Sequence, residues 1–432
     1  MQYYSLNRNA PNVSFREATV LGQASDKGLY FPEYIPKIEA SLINEIDKYK
    51  KEELAFRIML PYIGNTIDEE SLFNIVSETV NFDFPLVPIT REIATLELFH
   101  GPTLAFKDVG ARFMSRCLGY FSMNQSSKVT VLVATSGDTG GAVANGFLGV
   151  EGVDVVILYP SGKVSPVQEL QLTTCGQNIT ALEVAGTFDD CQAMVKQAFM
   201  DKELNAHMQL TSANSINVAR WLPQQLYYFF AYQQWKEKEN PPVIAVPSGN
   251  FGNICAGLLA YTSGMPVAHF IAACNVNDTV PDYLRTGNYA PKEAVATISN
   301  AMDVGNPSNF VRILEIFQQN YSTIKSLITG YTVTDDATKE TIRSVFQATG
   351  YILDPHGAVA YHALDNYLQQ NAGKKGFFLE TAHPVKFPET VEAAIHKPIE
   401  IPDSAKNLFG KEKQSIQLSV DFNNFKSYLL TR

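Results

Sequence analysis

The chain has 432 residues, of which 45% are hydrophobic and 18% charged, enough for two or three domains of roughly 150 residues and unlike a disordered or low-complexity polypeptide. A formal net charge of −10 argues against a protein that coats nucleic acid or an anionic membrane, yet allows a small anion held by a few cations in one cleft. No apolar run approaches the roughly 18 to 20 residues that span a bilayer, and the start MQYYSLNRNAPNVSF lacks a signal peptide's apolar stretch, so a cytoplasmic location is expected.

Between Ser41 and Val80 apolar residues recur at spacings of three and four, as in Leu54 with Ile58 and Leu72 with Ile75 and Val76. This predicts an N-terminal helical module, with Pro61 and Gly64 separating two helices. Two prolines and no helical period in Phe82-Asp-Phe-Pro-Leu-Val-Pro place a boundary near residue 88. The next segment, Leu96-Glu-Leu-Phe-His-Gly-Pro-Thr-Leu-Ala-Phe-Lys-Asp, sets Lys107 behind Leu104, Ala105 and Phe106. Apolar surroundings disfavour an ammonium and make such a lysine a candidate nucleophile toward a carbonyl, although most lysines are simply solvated. His100 in the same stretch reads more readily as a structural residue.

From here short β-branched runs alternate with helical stretches. Val129–Ala134, Val153–Tyr159 and Val243–Val246 each precede a Gly- or Pro-containing turn. That is the mark of parallel α/β architecture, whose strands are apolar throughout and whose ligand sites lie beyond the strands' carboxyl ends. After the first run, Ala134-Thr-Ser-Gly-Asp-Thr-Gly-Gly could receive a carboxylate or phosphate, or be a plain helix start capped by Ser136 or Asp138. After the second comes Ser161-Gly-Lys-Val-Ser-Pro, and further on Ser212-Ala-Asn-Ser-Ile-Asn-Val-Ala-Arg. Lys163, Ser165, Asn214, Ser215, Asn217 and Arg220 in these loops are good phosphate donors. After the third, Pro247-Ser-Gly-Asn-Phe-Gly-Asn offers small residues that let backbone N–H groups approach a phosphate at a helix N-terminus. It matches neither common nucleotide-binding glycine motif, and spacing alone fits an ordinary strand-to-helix turn equally well. The five cysteines form no CxxC and the seven histidines no HExxH, so neither disulfides nor a metal site is expected.

Taken together these segments resemble the threonine synthases, a family within the tryptophan-synthase-β-like (fold type II) pyridoxal-phosphate enzymes. The resemblance runs nearly the whole chain. It begins with Val13-Ser-Phe-Arg-Glu-Ala and Asp26-Lys-Gly-Leu-Tyr-Phe-Pro and passes through the glycine loops above. Its most specific parts are Phe99-His-Gly-Pro-Thr-Leu-Ala-Phe-Lys-Asp, Asn275-Val-Asn-Asp-Thr-Val-Pro and Thr381-Ala-His-Pro-Val-Lys-Phe; Asp354-Pro-His-Gly-Ala-Val-Ala also takes part.

The resemblance implies two open parallel-sheet α/β domains with an N-terminal helical extension. The expected divisions are 1–88, then 89–114 with 240–400 as the larger cofactor-binding domain, 115–239 as the smaller one, and 401–432 as a C-terminal tail. It implies pyridoxal 5′-phosphate bonded to Lys107, with Gly249, Asn250, Phe251, Gly252 and Asn253 around the cofactor phosphate. Thr381 would face the pyridine nitrogen, and Asp138 would lie beside the ring's 3′-oxygen, where many relatives carry Asn. The implied reaction converts O-phospho-L-homoserine and water to L-threonine and phosphate. For the substrate's phosphate the expected partners are Lys163, Ser165, Asn214, Ser215 and Arg220. No metal, nucleic-acid or membrane partner is expected, and the chain is expected as a monomer or homodimer. A dehydratase or phospholyase of the same fold, or a catalytically silent anion-binding protein, are the competing readings.

Overall fold

The structure, a computed structural model, describes residues 1–123 and 128–432. Its first surprise is a small antiparallel sheet of Gln2–Ser5, Val13–Ser14 and Tyr30–Pro32, with Gln2–Ser5 in the middle. Strands this short carry no readable period, so the sequence pattern shows only the helices that follow. Ser14 caps the helix Phe15–Leu21: its hydroxyl accepts from the Glu17 N–H at 3.2 Å while Glu17 accepts from the Ser14 N–H at 2.8 Å, a capping box. The expected helical pair follows as Lys51–Ile63 and Glu69–Thr79. Pro61 does not divide them, because it lies in the last turn of the first helix. Gly64, at a φ of 59°, ends it.

Two sheets carry the rest. The larger has the order Ile328–Thr332, His269–Cys274, Val243–Pro247, Gly376–Glu380, Ile93–Glu97, Leu86–Pro88, parallel except for the last pair. The smaller has the order Ile416–Leu418, Ile179–Val184, Val153–Pro160, Val129–Ala134, Gln209–Ser212, parallel throughout. Every residue of Val129–Ala134, Val243–Pro247, His269–Cys274 and Gly376–Glu380 is buried. Layers of helices on both faces require that, and the continuous apolar runs supply it.

The segment 401–432 is not a free tail. Its strand Ile416–Leu418 extends the smaller sheet beside Ile179–Val184, and Phe425 and Leu429 of the helix Phe422–Leu430 are buried in that sheet's core cluster with Leu182 and Val184. The edge strand is mostly exposed and therefore carries no apolar pattern, which is why the sequence does not announce it.

The chain first passes from the larger sheet to the smaller through one helix. Lys107–Ser122 leaves the carboxyl end of Ile93–Glu97 in the larger sheet and leads to Val129–Ala134 in the smaller. Lys107 is its first residue. It therefore stands in the crevice beyond the strand ends, where open α/β sheets bind ligands.

Candidate active site

The loop that delivers Lys107 is tied down from several sides. Leu104 adopts a left-handed φ of 59°, its carbonyl accepts from the His383 N–H at 3.0 Å, and the Phe106 N–H donates to the Thr381 carbonyl at 2.9 Å. Thr381, at the end of Gly376–Glu380, is thereby fixed beside the lysine loop. Beneath it, Asp108 accepts from the Thr103 N–H at 2.9 Å and the Thr103 hydroxyl at 2.5 Å.

The Lys107 pKa is lowered from the ordinary lysine value. Burial is the main cause and the Lys386 and Arg220 cations add to it, while the Asp138 carboxylate opposes them. A lysine so placed gives up its proton more readily than a solvated one. Asp138 runs the other way. Burial alone would raise its carboxyl, but the Lys386 and Lys107 cations and hydrogen bonds from Lys386 and Gln168 outweigh that and hold it well below the usual carboxylate range.

The Asp138–Lys386 pair is buried: Lys386 is 0% and Asp138 6% exposed, with Nζ 2.6 Å from Oδ1. Lys386 also donates to the Thr103 carbonyl at 2.9 Å, and Gln168 donates to Asp138 at 2.8 Å. Sequence reasoning missed Lys386. The signal was a lysine inside the otherwise apolar Pro-Val-Lys-Phe run, and its partner lies far away in sequence. The helix Asp138–Phe147 is not capped by Ser136 or Asp138, as one reading had it. Thr135 does this work, its hydroxyl accepting from the N–H groups of Gly137 at 3.0 Å and Gly140 at 2.8 Å.

Across the crevice, Val243–Pro247 leads into the turn 248–251 and the helix Gly252–Ser263. A Cβ on Gly249 would lie 2.6 Å from the Met302 Cα, so only glycine fits there. A Cβ on Gly252 would lie 3.4 Å from Asn309 Nδ2, 3.7 Å from Ser215 Cβ and 3.8 Å from Asn309 Cγ, ordinary contact distances, so no neighbouring atom crowds this position. Phe251 sits at a left-handed φ of 59°. Asn250 donates to the Ser215 hydroxyl at 2.7 Å and accepts from the Ser308 N–H at 2.6 Å. Asn253 is 6% exposed, yet its Nδ2 has no partner among the described residues. A buried amide donor with nothing to donate to, at an open helix N-terminus, suits an anionic oxygen.

The residues expected around the substrate's phosphate differ in their local settings. Lys163 is exposed and, among the described residues, makes no side-chain hydrogen bond or ion pair, while Ser165 caps the helix Pro166–Thr173. Ser215 belongs to the Asn250 turn, accepting also from Asn309 at 3.4 Å. Arg220 is buried against Gly110 in the lysine helix, donates to the Ala213 carbonyl at 2.5 Å, and keeps an unpartnered Nε.

Two open sheets, parallel but for one edge pair, with a lysine at the start of the helix that leads from one to the other and a small-residue turn after a central strand, fit the pyridoxal-phosphate-dependent class. The family described as pyridoxal-phosphate dependent enzyme matches residues 86–378. On either side, residues 2–80 match the threonine synthase N terminus and 357–429 the threonine synthase C-terminal region. The chain is 44% identical to the threonine synthases of Haemophilus influenzae and Escherichia coli, the alignments covering all of this chain and 100% and 99% of theirs. The crystal structure of the Escherichia coli enzyme superposes with a TM-score of 0.92 over the whole of both chains. A PLP-bound threonine synthase from Brucella melitensis, 34% identical, superposes at 0.93 over 100% of this chain and 99% of that one. A threonine deaminase from Solanum lycopersicum, at 15% identity and a TM-score of 0.55 over 73% of this chain and 85% of that one, shares only the fold. This chain belongs to the threonine synthase family, and its cofactor is pyridoxal 5′-phosphate.

Proposed function

We propose that this chain hydrolytically rearranges O-phospho-L-homoserine, breaking the bond between the γ carbon and the phosphate oxygen and adding water's oxygen at the β carbon, to give L-threonine and phosphate. The observation that carries the reading is Lys107, half-buried beside the Lys386 and Arg220 cations at the start of the helix between the two sheets, with its basicity lowered. With its basicity lowered, Lys107 is better suited than a solvated lysine to hold pyridoxal phosphate through the cofactor's carbonyl carbon and to accept and return protons at its Nζ.

Pyridoxal phosphate, when bound, supplies an electron sink for charge developing on the substrate's carbons. We assign its phosphate to Gly249, Asn250, Phe251, Gly252 and Asn253, on the strength of the uncrowded Gly252 position and an Asn253 amide without a partner among the described residues. Thr381 is assigned to the pyridine nitrogen and Asp138 to the neighbourhood of the ring's 3′-oxygen. A neutral hydroxyl at Thr381 does not oblige the ring nitrogen to stay protonated, in contrast to an acidic partner. Lys386 keeps Asp138 ionised and so fixes the sign of the charge there.

For the substrate's leaving phosphate we assign Lys163, Ser165, Asn214, Ser215 and Arg220. Lys163 has a free ammonium, Arg220 an unused Nε–H, and Ser215 a hydroxyl proton left to donate after accepting twice. Such donors stabilise the charge that develops as phosphate departs. The domain limits 1–88, 89–114 with 240–400, and 115–239 belong to the same reading, and we assign 401–432 to the smaller domain because its strand pairs with Ile179–Val184; a cytoplasmic location and a monomeric or dimeric state belong to it as well.

The test is the ultraviolet–visible spectrum of the purified protein followed by product analysis with O-phospho-L-homoserine. Threonine and phosphate in equal amounts are expected. A keto acid with ammonia would instead identify a lyase of the dehydratase type, and absence of any lysine-bound cofactor band would overturn the assignment of Lys107.

A further inference from the structure

Arg312 is 0% exposed, which is rare for a guanidinium without an acid beside it. Among the described residues it makes no ion pair. Its Nη1 donates to the Asn309 Oδ1 at 2.7 Å and the Ser215 carbonyl at 3.3 Å, and its Nη2 to the carbonyls of Ile216 at 2.7 Å and Tyr30 at 3.0 Å. The guanidinium lies 4.3 Å from the centre of the Trp221 ring, and its Nε has no partner. Among the described residues, the titratable neighbour that bears on it is Cys255, a thiol that burial pushes up to about 12 and so keeps neutral. Four neutral acceptors and a ring face solvate this cation without neutralising it, and an isolated buried charge is expensive.

The acceptors are not scattered. Asn309 donates to the Asn250 carbonyl at 3.1 Å, and Ser215 accepts from Asn250 at 2.7 Å. The same two residues are the nearest neighbours of the open Gly252 position. Arg312 thus stands one layer of side chains behind the turn 249–253, and through Tyr30 it ties the N-terminal sheet to that turn.

We propose that Arg312 is the positioning residue and buried counter-charge of the cofactor phosphate: the phosphate dianion, held in front by the turn 249–253, supplies the negative charge that the protein leaves missing behind it. The proposal deepens the assignment of that turn as the phosphate cradle and rests on it. Charge acting across one layer in a dry interior is worth more than the same charge at a surface. It also means the apoprotein carries an unneutralised cation that cofactor binding relieves.

The test compares Arg312→Lys with Arg312→Gln. Both lose the planar fork and both still donate hydrogen bonds; only the first keeps the charge. Equilibrium titrations are made with pyridoxal phosphate and with pyridoxal, which lacks the phosphate. The glutamine variant should bind pyridoxal phosphate at least about tenfold more weakly than the lysine variant, roughly 1.4 kcal/mol, while both bind pyridoxal equally. Equal losses for Lys and Gln, or parallel losses for the two ligands, would show a purely structural role and overturn the proposal.

Should the glutamine variant not fold, phosphorus NMR of the unmutated holoenzyme decides. The bound phosphate should stay dianionic well below pH 6, near which a phosphate monoester normally takes up its second proton. Titration like that of the free cofactor would overturn the proposal. Gly252→Val separates the two levels. If it leaves pyridoxal phosphate affinity unchanged, the cradle itself is misassigned; if it weakens affinity while Lys and Gln at position 312 behave alike, only the role of Arg312 fails.

Discussion

The turns 134–141 and 247–253 have the same local recipe: a buried strand, a glycine-bearing turn rich in polar side chains, and a small-residue helix. They differ in what is left over. In the first, the Thr135 hydroxyl takes two backbone N–H groups, Gln168 and Lys386 bind Asp138, and a Cβ on Gly137 or Gly140 would collide with Gln168 or Thr135 at 2.5 Å. The protein consumes its own polar capacity there and presents one fixed negative charge. In the second, among the described residues, Asn253 keeps an unpartnered amide, a Cβ on Gly252 would meet nothing nearer than 3.4 Å, and a buried arginine stands behind without an anion. An anion site is recognised by donors and charge that the fold leaves unspent, and glycine spacing alone does not distinguish the two cases.

The largest expected effect falls between these turns. Lys107→Ala removes the amine assigned to the cofactor, so turnover should disappear along with the absorbance of the lysine-bound cofactor, while circular dichroism stays unchanged. Measurable turnover at anything near the unmutated rate would remove Lys107 from its role.

Lys386→Met strikes the satisfied turn. It leaves the buried Asp138 without its nearest cation, and breaking such a pair from one side costs about 3–5 kcal/mol. Because Asp138 titrates below its unfolded value, its stabilising contribution is complete above the ordinary aspartate range and is lost as pH falls through the depressed folded value. Without Lys386 that loss should move to less acidic pH. Urea unfolding across pH measures both, and adding Asp138→Asn should recover much of the loss, since the charge stranded by the first change is then gone. If the double variant is as unstable as the sum of the singles, the two residues are not coupled.

The same contrast explains what was legible in the sequence. Val129–Ala134 and Val243–Pro247 are buried on both faces and announce themselves as apolar runs, and Lys107 stood out by its apolar neighbours. The parallel α/β class follows from those runs, whereas the apolar neighbours only make Lys107 a candidate, and its assignment to the cofactor comes from the family resemblance. Lys386 and Arg312 did not stand out because their meaning lies in partners brought together by tertiary packing: Asp138 in one case, the Ser215 and Asn309 layer in the other. Nor could sequence show that Ser215 joins the Asn250 turn while Lys163 stays exposed, since both sit in loops of similar composition. Ile416–Leu418 was hidden for a different reason, as an exposed edge strand carries no burial pattern.

Lys163 supplies a sharper cut between the phosphate of the cofactor and that of the substrate. Its ammonium is free and remote in sequence from the turn 247–253. Lys163→Ala should remove a charge-assisted hydrogen bond worth about 1.5–3 kcal/mol, lowering kcat/KM for O-phospho-L-homoserine by roughly tenfold to a few hundredfold. Pyridoxal phosphate affinity should hardly move. Steady-state kinetics beside a cofactor titration check this: retained efficiency, or an equal fall in cofactor affinity, would dissolve the proposed division between the two anion sites.

The smallest expected effect tests whether the turn 134–141 is purely internal. Thr135→Val keeps the shape of the side chain but deletes the hydroxyl that accepts from the Gly137 and Gly140 N–H groups, leaving two buried donors at the start of the helix Asp138–Phe147. Loss of such a cap costs about 1–2 kcal/mol, to be read from the midpoint of urea unfolding. Because Thr135 satisfies backbone and is not assigned to either anion, the affinity for pyridoxal phosphate should stay within about twofold of the unmutated value, a shift of less than roughly 0.5 kcal/mol. A large fall in cofactor affinity with little change in stability would reverse the comparison. It would mean that the first turn, for all its internal bonding, also holds a ligand through Thr135, and that a filled hydrogen-bond inventory does not rule a glycine turn out of the binding site.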